Sequence, residues 1–222
     1  RLNAFQFAAN IWGARLRSDV EIRVSAEFNP LPCEASAAVL GSAGPNSILR
    51  EFDNAPVTGA WFVQALANSL LGRDADPGED DIGAEFNSRI GATNCLSGSG
   101  WYLGLDGKPP AGQIDFATIA LHELGHGLGF LELVNLKTGE KLFGFDDAFM
   151  RFLEDQSTGE LYPDMTDQER VAASTKTSNL QWTGEKAIRV GEALVRGKDE
   201  QTGQIELYAP EPLSPGASVS HF

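Results

Sequence analysis

The chain has 222 residues, 42% of them hydrophobic, and its 31 acidic and 17 basic residues give a net charge of -14. A chain of this length can bury one sizeable core, or one core with a smaller subdomain attached. The negative field argues against nucleic-acid or anionic-lipid partners, and no apolar run is long enough to cross a bilayer.

The two cysteines, Cys33 and Cys95, indicate the compartment. A single pair can form one disulfide in an oxidising environment, which is the interpretation we favour. The alternative is two buried thiols, because the pair lacks the C-x-x-C spacing of a metal site. The chain begins with Arg1 rather than Met and has neither the basic region nor the apolar region of a signal peptide, so we expect a processed or trimmed end.

Helical and strand patterns alternate along the first half of the chain. Apolar side chains at helical spacing predict a helix over 4–17, and strict alternation predicts a strand over 20–28. Further predicted elements are a strand at 37–40, a helix at 61–71, and strands at 82–90 and 101–105.

The best-specified helix begins near Asp115 and runs to Gly129. We expect Asp115 to cap it by accepting a hydrogen bond from a backbone N–H of the first turn. Gly125, Gly127 and Gly129 each cost roughly 1 kcal/mol of helix propensity against Ala. Such a cost predicts close packing at the first two and a left-handed reversal at the third.

Beyond Gly129 the pattern becomes mixed. A capped helix start is predicted over 164–171 and a strand over 204–209. The predicted class is therefore α+β: a small, twisted, mixed sheet packed on two main helices. We expect an N-terminal catalytic subdomain over 1–132 and a mixed C-terminal subdomain over 133–222.

The segment from His122 to His126 carries the chemistry. Two histidines four apart lie on one face of a helix, where both imidazoles can bind one zinc ion. Glu123 lies beside them and can deprotonate a zinc-activated water, acting as general base and then as general acid. The bland alternative is two ordinary histidines beside an exposed glutamate.

A catalytic zinc needs a third protein ligand, and two residues are candidates. Glu132 lies six residues after His126, whereas His221 is the only other histidine. We favour His221, because neutral imidazole suits zinc better than carboxylate. The predicted set is thus Glu123 as the catalytic residue and His122, His126 and His221 as metal ligands.

The segment His122-Glu123-x-x-His126-x-x-Gly129 resembles the signature of metzincin zinc peptidases. Position 132 holds Glu instead of the third ligand of the compact signature. A long segment separates Gly129 from His221, as in leishmanolysin-like metzincins. Segments 101–107 and 145–155 and the Ser-Val-Ser-His ending are also similar to secreted bacterial peptidases of this type.

The chain departs from metzincins at both ends. Both methionines, Met150 and Met165, precede His221, so the methionine turn that follows the third histidine in that family has no counterpart here. The family also has a strand before its first helix, whereas this chain opens on a helix. Either the polypeptide is trimmed at both ends, which we expect, or the fold supports its metal differently.

The resemblance implies a secreted, monomeric zinc metalloendopeptidase that acts on proteins or peptides. The rival hypotheses are a zinc hydrolase with a non-protein substrate and a non-catalytic metal-binding adhesion module.

Two acidic features leave alternatives open. The loop 74–81 either binds calcium or is a solvated turn, and Asp146 and Asp147 either orient a zinc ligand or cap a helix.

Overall fold

The computed structural model describes residues 1–191, 193–194 and 196–222 as a mixed α+β structure, which confirms the predicted class. Its helices and strands are, in chain order, α1 (Leu2–Gly13), β1 (Val24–Asn29), β2 (Gly41–Pro45), β3 (Ile48–Leu49), β4 (Phe62–Val63), α2 (Gln64–Leu71), β5 (Ile82–Asn87), β6 (Gly100–Tyr102), β7 (Gln113–Asp115), α3 (Phe116–Gly127), β8 (Leu153–Asp155), β9 (Glu160–Leu161), α4 (Asp167–Ala173), β10 (Leu180–Trp182), α5 (Glu185–Gly191) and β11 (Ile205–Glu206). Two short 3-10 turns, Leu142–Gly144 and Met150–Phe152, precede β8. Within the described residues, no helix combines the length and the apolar character that crossing a membrane requires.

The chain divides into two compact units. The first comprises residues 1–55 and 63–129, and the second comprises residues 56–62 and 130–222. The predicted division of roles between 1–132 and 133–222 stays a prediction.

The first unit is built on a small mixed sheet with the strand order β1-β5-β2. Strand β1 runs parallel to β5, and β2 runs antiparallel to it. Helices α1 and α3 supply the apolar side chains that cover the sheet. Phe86 of β5 and Phe116 of α3 are fully buried, with ring centroids 4.8 Å apart in an edge-on arrangement.

Several helices and strands of this unit begin or end at residues other than those predicted. The first helix ends at Gly13 rather than at residue 17, and the first strand starts at Val24 rather than at residue 20. The strand predicted at 37–40 is wrong, since that stretch makes only a bridge between Cys33 and Ala38. The actual strand, β2, reads Gly-Ser-Ala-Gly-Pro, which has no β-branched residue to mark it.

The predicted disulfide is confirmed. Cys33 and Cys95 are joined across 62 residues of sequence, and the Cys95 side chain is fully buried. The bond links the segment between β1 and β2 to the segment between β5 and β6. It therefore closes a loop of the chain that contains both β2 and β5.

The second unit contains an antiparallel sheet with the order β11-β10-β8-β9. Its core consists of buried side chains that include Met150, Leu153, Tyr162, Leu180 and Leu207. Helix α4 begins with a capping box, as the sequence predicted for this region. The Thr166 hydroxyl accepts from the Glu169 N–H, and the Glu169 carboxylate accepts from the Thr166 N–H.

The three glycines of α3 serve different purposes. A Cβ on Gly127 would lie 2.3 Å from Ile82 Cγ2, so the helix crosses β5 too closely for a larger residue. Gly129 has φ of +115°, as the predicted reversal requires. The prediction of close packing at Gly125 is wrong, because the nearest atom to its Cβ would be Trp12 Cζ2 at an ordinary 3.6 Å.

This contrast predicts opposite stability effects for alanine substitutions at two glycines that lie two residues apart in α3. Gly127→Ala should lower the free energy of unfolding by about 1–3 kcal/mol, because the new methyl group overlaps Ile82. Gly125→Ala should raise it by up to about 1 kcal/mol through helix propensity. Urea unfolding in a chelator measures both, and equal midpoints for the two variants would contradict the packing argument.

Candidate metal centre

Helix α3 presents His122 and His126 on one face, one turn apart. Their Nε2 atoms lie 3.1 Å from each other, and their rings meet edge to face at 86°. Two nitrogens bound to one tetrahedral zinc ion at 2.0–2.1 Å would be about 3.3 Å apart. The observed spacing therefore suits two ligands of a single ion.

His221 is oriented by its own segment in the second unit. Its Nδ1 donates to the Ala217 carbonyl oxygen over 2.8 Å. A carbonyl can only accept, so this bond places the proton on Nδ1 and makes Nε2 the ring nitrogen suited to a metal.

His122, His126 and His221 form a cluster that could hold a metal ion. The three residues offer one ring nitrogen each, and these atoms all lie within 4.8 Å of one another. In the described part of the chain, Glu132 belongs to no such group. The assignment of His221 as third ligand stays a prediction, which this clustering supports.

Glu123 is largely buried in the first unit, against strand β2. Its side chain is 8% exposed, and its carboxylate accepts a hydrogen bond from the Ala43 backbone N–H. Burial raises the pKa of Glu123 to about 7, and the bond from Ala43 lowers it in part. A carboxyl with a pKa near neutrality can both accept and return a proton.

Strand β2 sets the position of Glu123, and sequence reasoning missed this strand. A Cβ on Gly41 would lie only 3.0 Å from Glu123 Cγ, so the backbone of β2 lies directly on the glutamate. Ala43, two residues on, supplies the hydrogen bond. The only signal in the sequence is the run of small residues from Gly41 to Gly44, which is not specific.

The prediction that the Asp115 side chain caps α3 by bonding to a backbone N–H is wrong. Asp115 is the residue before α3, but its side chain makes no hydrogen bond to a backbone N–H of the helix. Its carboxylate instead accepts from the Thr118 hydroxyl over 2.6 Å.

Asp147 accepts hydrogen bonds from backbone N–H groups of two segments, but the helix predicted after it is only a 3-10 turn, Met150–Phe152, whose N-cap residue is Phe149. One carboxylate oxygen accepts from the Met150 N–H at 2.7 Å, and the other accepts from the Leu133 N–H at 2.8 Å. Asp146 forms ion pairs with Lys141 and Arg151. These contacts hold the segment around residues 141–151 to the segment that follows Gly129.

The positively charged Arg23 side chain lies against the acidic loop 74–81. The Arg23 guanidinium donates to the Glu79 carbonyl oxygen at 2.6 Å and to the Asp74 carboxylate at 3.2 Å. Asp81, which is almost fully buried, accepts from the Asn68 amide and from the Arg23 N–H. Arg23 thus provides positive charge where a calcium ion was one of the predicted alternatives.

Comparison of the chain with protein-family models, with curated proteins and with solved structures finds no match.

Asp147 predicts a pH dependence of stability. Burial raises its pKa to about 6 from an ordinary 3.8, so the folded state favours the protonated acid. This contribution is fully present below pH 3.8 and is lost as the pH rises to 6. Asp147→Asn does not titrate, so its unfolding free energy should rise relative to that of the wild type by about 3 kcal/mol between pH 3.8 and pH 6.

Urea titrations between pH 4 and 8 in a chelator test this, with the exposed Asp53→Asn as the control. The difference between Asp147→Asn and the wild type should grow from pH 4 to pH 6 and then level off. A difference that stays constant over that range would contradict the prediction.

Proposed function

We propose that this chain is a zinc-dependent metalloendopeptidase that hydrolyses internal peptide bonds. The observation that carries the proposal is the cluster of three histidine nitrogens, together with the buried Glu123 between two of them in sequence. Three protein ligands and a neighbouring carboxylate are the composition of a catalytic zinc site, whereas structural zinc sites have four protein ligands.

Zinc is the metal that this donor set favours. His122, His126 and His221 would hold it, because neutral imidazole suits zinc and the Nε2 spacing of the first two fits tetrahedral coordination. When bound, the ion supplies Lewis acidity that activates water and polarises a carbonyl group.

Glu123 moves the proton in this proposal. Its carboxylate accepts a proton from the attacking water and returns it to the leaving amine. The Ala43 N–H holds one side of the carboxylate, so the group is oriented before substrate binds. A pKa near 7 matches both roles at neutral pH.

The position of β2 supports a peptide as the substrate. It is an end strand in the order β1-β5-β2, and it contacts Glu123 through Gly41 and Ala43. Extended peptides bind such strands by adding main-chain hydrogen bonds. The disulfide supports a secreted protein, since such bonds persist in oxidising compartments.

The proposed relationship is to metzincins, and the methionine turn is a point of departure. Met150 and Met165 lie in the core of the second unit, where they pack with Leu153 and Tyr162. We therefore assign neither methionine to the family's turn beneath the metal.

The proposal predicts that substituting a ligand abolishes both zinc binding and hydrolysis, whereas substituting the general base abolishes hydrolysis alone. His122→Ala and His221→Ala should each lose zinc and activity, since each removes one of three ligands. Glu123→Gln should keep stoichiometric zinc but lose hydrolysis by about 10²–10⁴-fold, because the amide cannot accept the proton. Elemental analysis and cleavage of a quenched peptide measure the two properties, with the exposed Glu21→Gln as control.

The outcomes distinguish the rival functions. Zinc binding without cleavage of peptides or casein, combined with turnover of esters or other amides, would favour a hydrolase with a non-protein substrate. Zinc binding with no turnover of any of these substrates would favour a binding module. Full zinc content in His221→Ala would contradict the assigned ligand set.

A further inference from the structure

We infer that Glu132 is a positioning residue that holds His221 in place through Ser220. The inference rests on the proposed zinc site and assigns Glu132 a role other than that of a ligand. All the contacts that support it lie within the second unit.

Glu132 and Ser220 bind each other twice. The Ser220 hydroxyl donates to the Glu132 carboxylate, and the Glu132 backbone N–H donates to the Ser220 hydroxyl oxygen over 3.3 Å. The same oxygen therefore accepts one bond and donates another to a single residue 88 positions away in sequence. Because Ser220 immediately precedes His221, these bonds fix the backbone from which the imidazole extends.

The segment that Glu132 holds is strained. Val219 is fully buried and has φ of +68°, a left-handed conformation that is rare for a β-branched residue. Such a conformation is unfavourable for this residue and persists only where surrounding contacts enforce it. The segment therefore needs bonds from outside itself.

Hydrogen bonds from a second segment support the other side of the turn. The Val219 N–H donates to the Tyr208 carbonyl oxygen at 2.8 Å, and the Tyr208 N–H donates to the His221 carbonyl oxygen at 2.7 Å. These bonds hold the backbone but do not contact the Ser220 side chain. Glu132 is the side-chain partner that the structure gives to Ser220.

The orientation of the His221 ring depends on this turn. Its Nδ1 bonds to the Ala217 carbonyl oxygen, four residues earlier, so the ring direction follows the conformation of residues 217–221. Groups that orient a metal-ligating histidine typically contribute 10–100-fold to metal affinity. Loss of the Glu132 side chain would release the Ser220 hydroxyl and remove this support from the strained turn.

The test measures zinc affinity by competition with a chromophoric chelator, and Co²⁺ absorption as a report on ligand geometry. Glu132→Ala should weaken zinc binding by about 10–100-fold and reduce the Co²⁺ visible bands. Glu132→Gln should restore most of the affinity, because the amide oxygen still accepts from the Ser220 hydroxyl. This rescue separates positioning from any effect of the carboxylate charge.

A double-mutant cycle tests the route through Ser220. If Glu132 acts through that residue, Glu132→Ala with Ser220→Ala should lose no more affinity than the weaker-binding single variant. Glu169→Ala is the matched control, because Glu169 makes the same kind of reciprocal bonds to Thr166 in the α4 cap. It should lose stability and leave zinc affinity unchanged.

Unchanged zinc affinity in Glu132→Ala would overturn the inference, as would additive losses in the double variant or a failure of Glu132→Gln to rescue. Each of these results leaves the proposed zinc site intact as long as the wild-type chain binds zinc. A wild-type chain that binds neither zinc nor Co²⁺ would instead overturn the proposed function, and the inference with it.

Discussion

The close approach of helix α3 to its sheet is the constraint on which the candidate centre depends. Gly127 allows the helix to cross β5 against Ile82, and Gly41 allows β2 to lie on Glu123. The contact at Gly127 leaves no room for a side chain and the contact at Gly41 leaves little, so the geometry depends on two small residues far apart in sequence. With the helix seated in this way, His122 and His126 take their places on one face and Glu123 is buried beneath β2.

The acidic side chains differ in whether their partners are cations or neutral hydrogen-bond donors. Cations pair with several surface or structural acids, including Arg23 with Asp74 and Lys176 with Asp155. Glu123, Glu132 and Asp147 instead accept hydrogen bonds from backbone N–H groups or a hydroxyl. Neutral donors offset burial only in part, and so the pKa of each of these acids is raised. For Glu123 this places a proton acceptor near neutral pH.

The fold alone would not indicate a function. Small mixed sheets with helices on them support many activities, and it is the site that favours the proposed peptidase. The cluster of three imidazoles, the adjacent buried carboxylate and the nearby end strand each have simpler explanations when taken alone. A zinc peptidase site requires all of them together, which is why metal content and hydrolysis are measured on the same variants.

Local features of the sequence determined much of this protein. The spacing of His122 and His126 predicted a shared helical face, the α4 region carried a recognisable cap, and two cysteines allowed only one intramolecular disulfide. These depend on neighbours within one or two turns, or on simple pairing. The tertiary structure alone decided the position of β2, the raised pKa of Glu123 and the engagement of Glu132 by Ser220. Each of these results from contacts between residues distant in sequence, because burial and hydrogen-bond partners are set by packing and leave no periodic pattern in the chain.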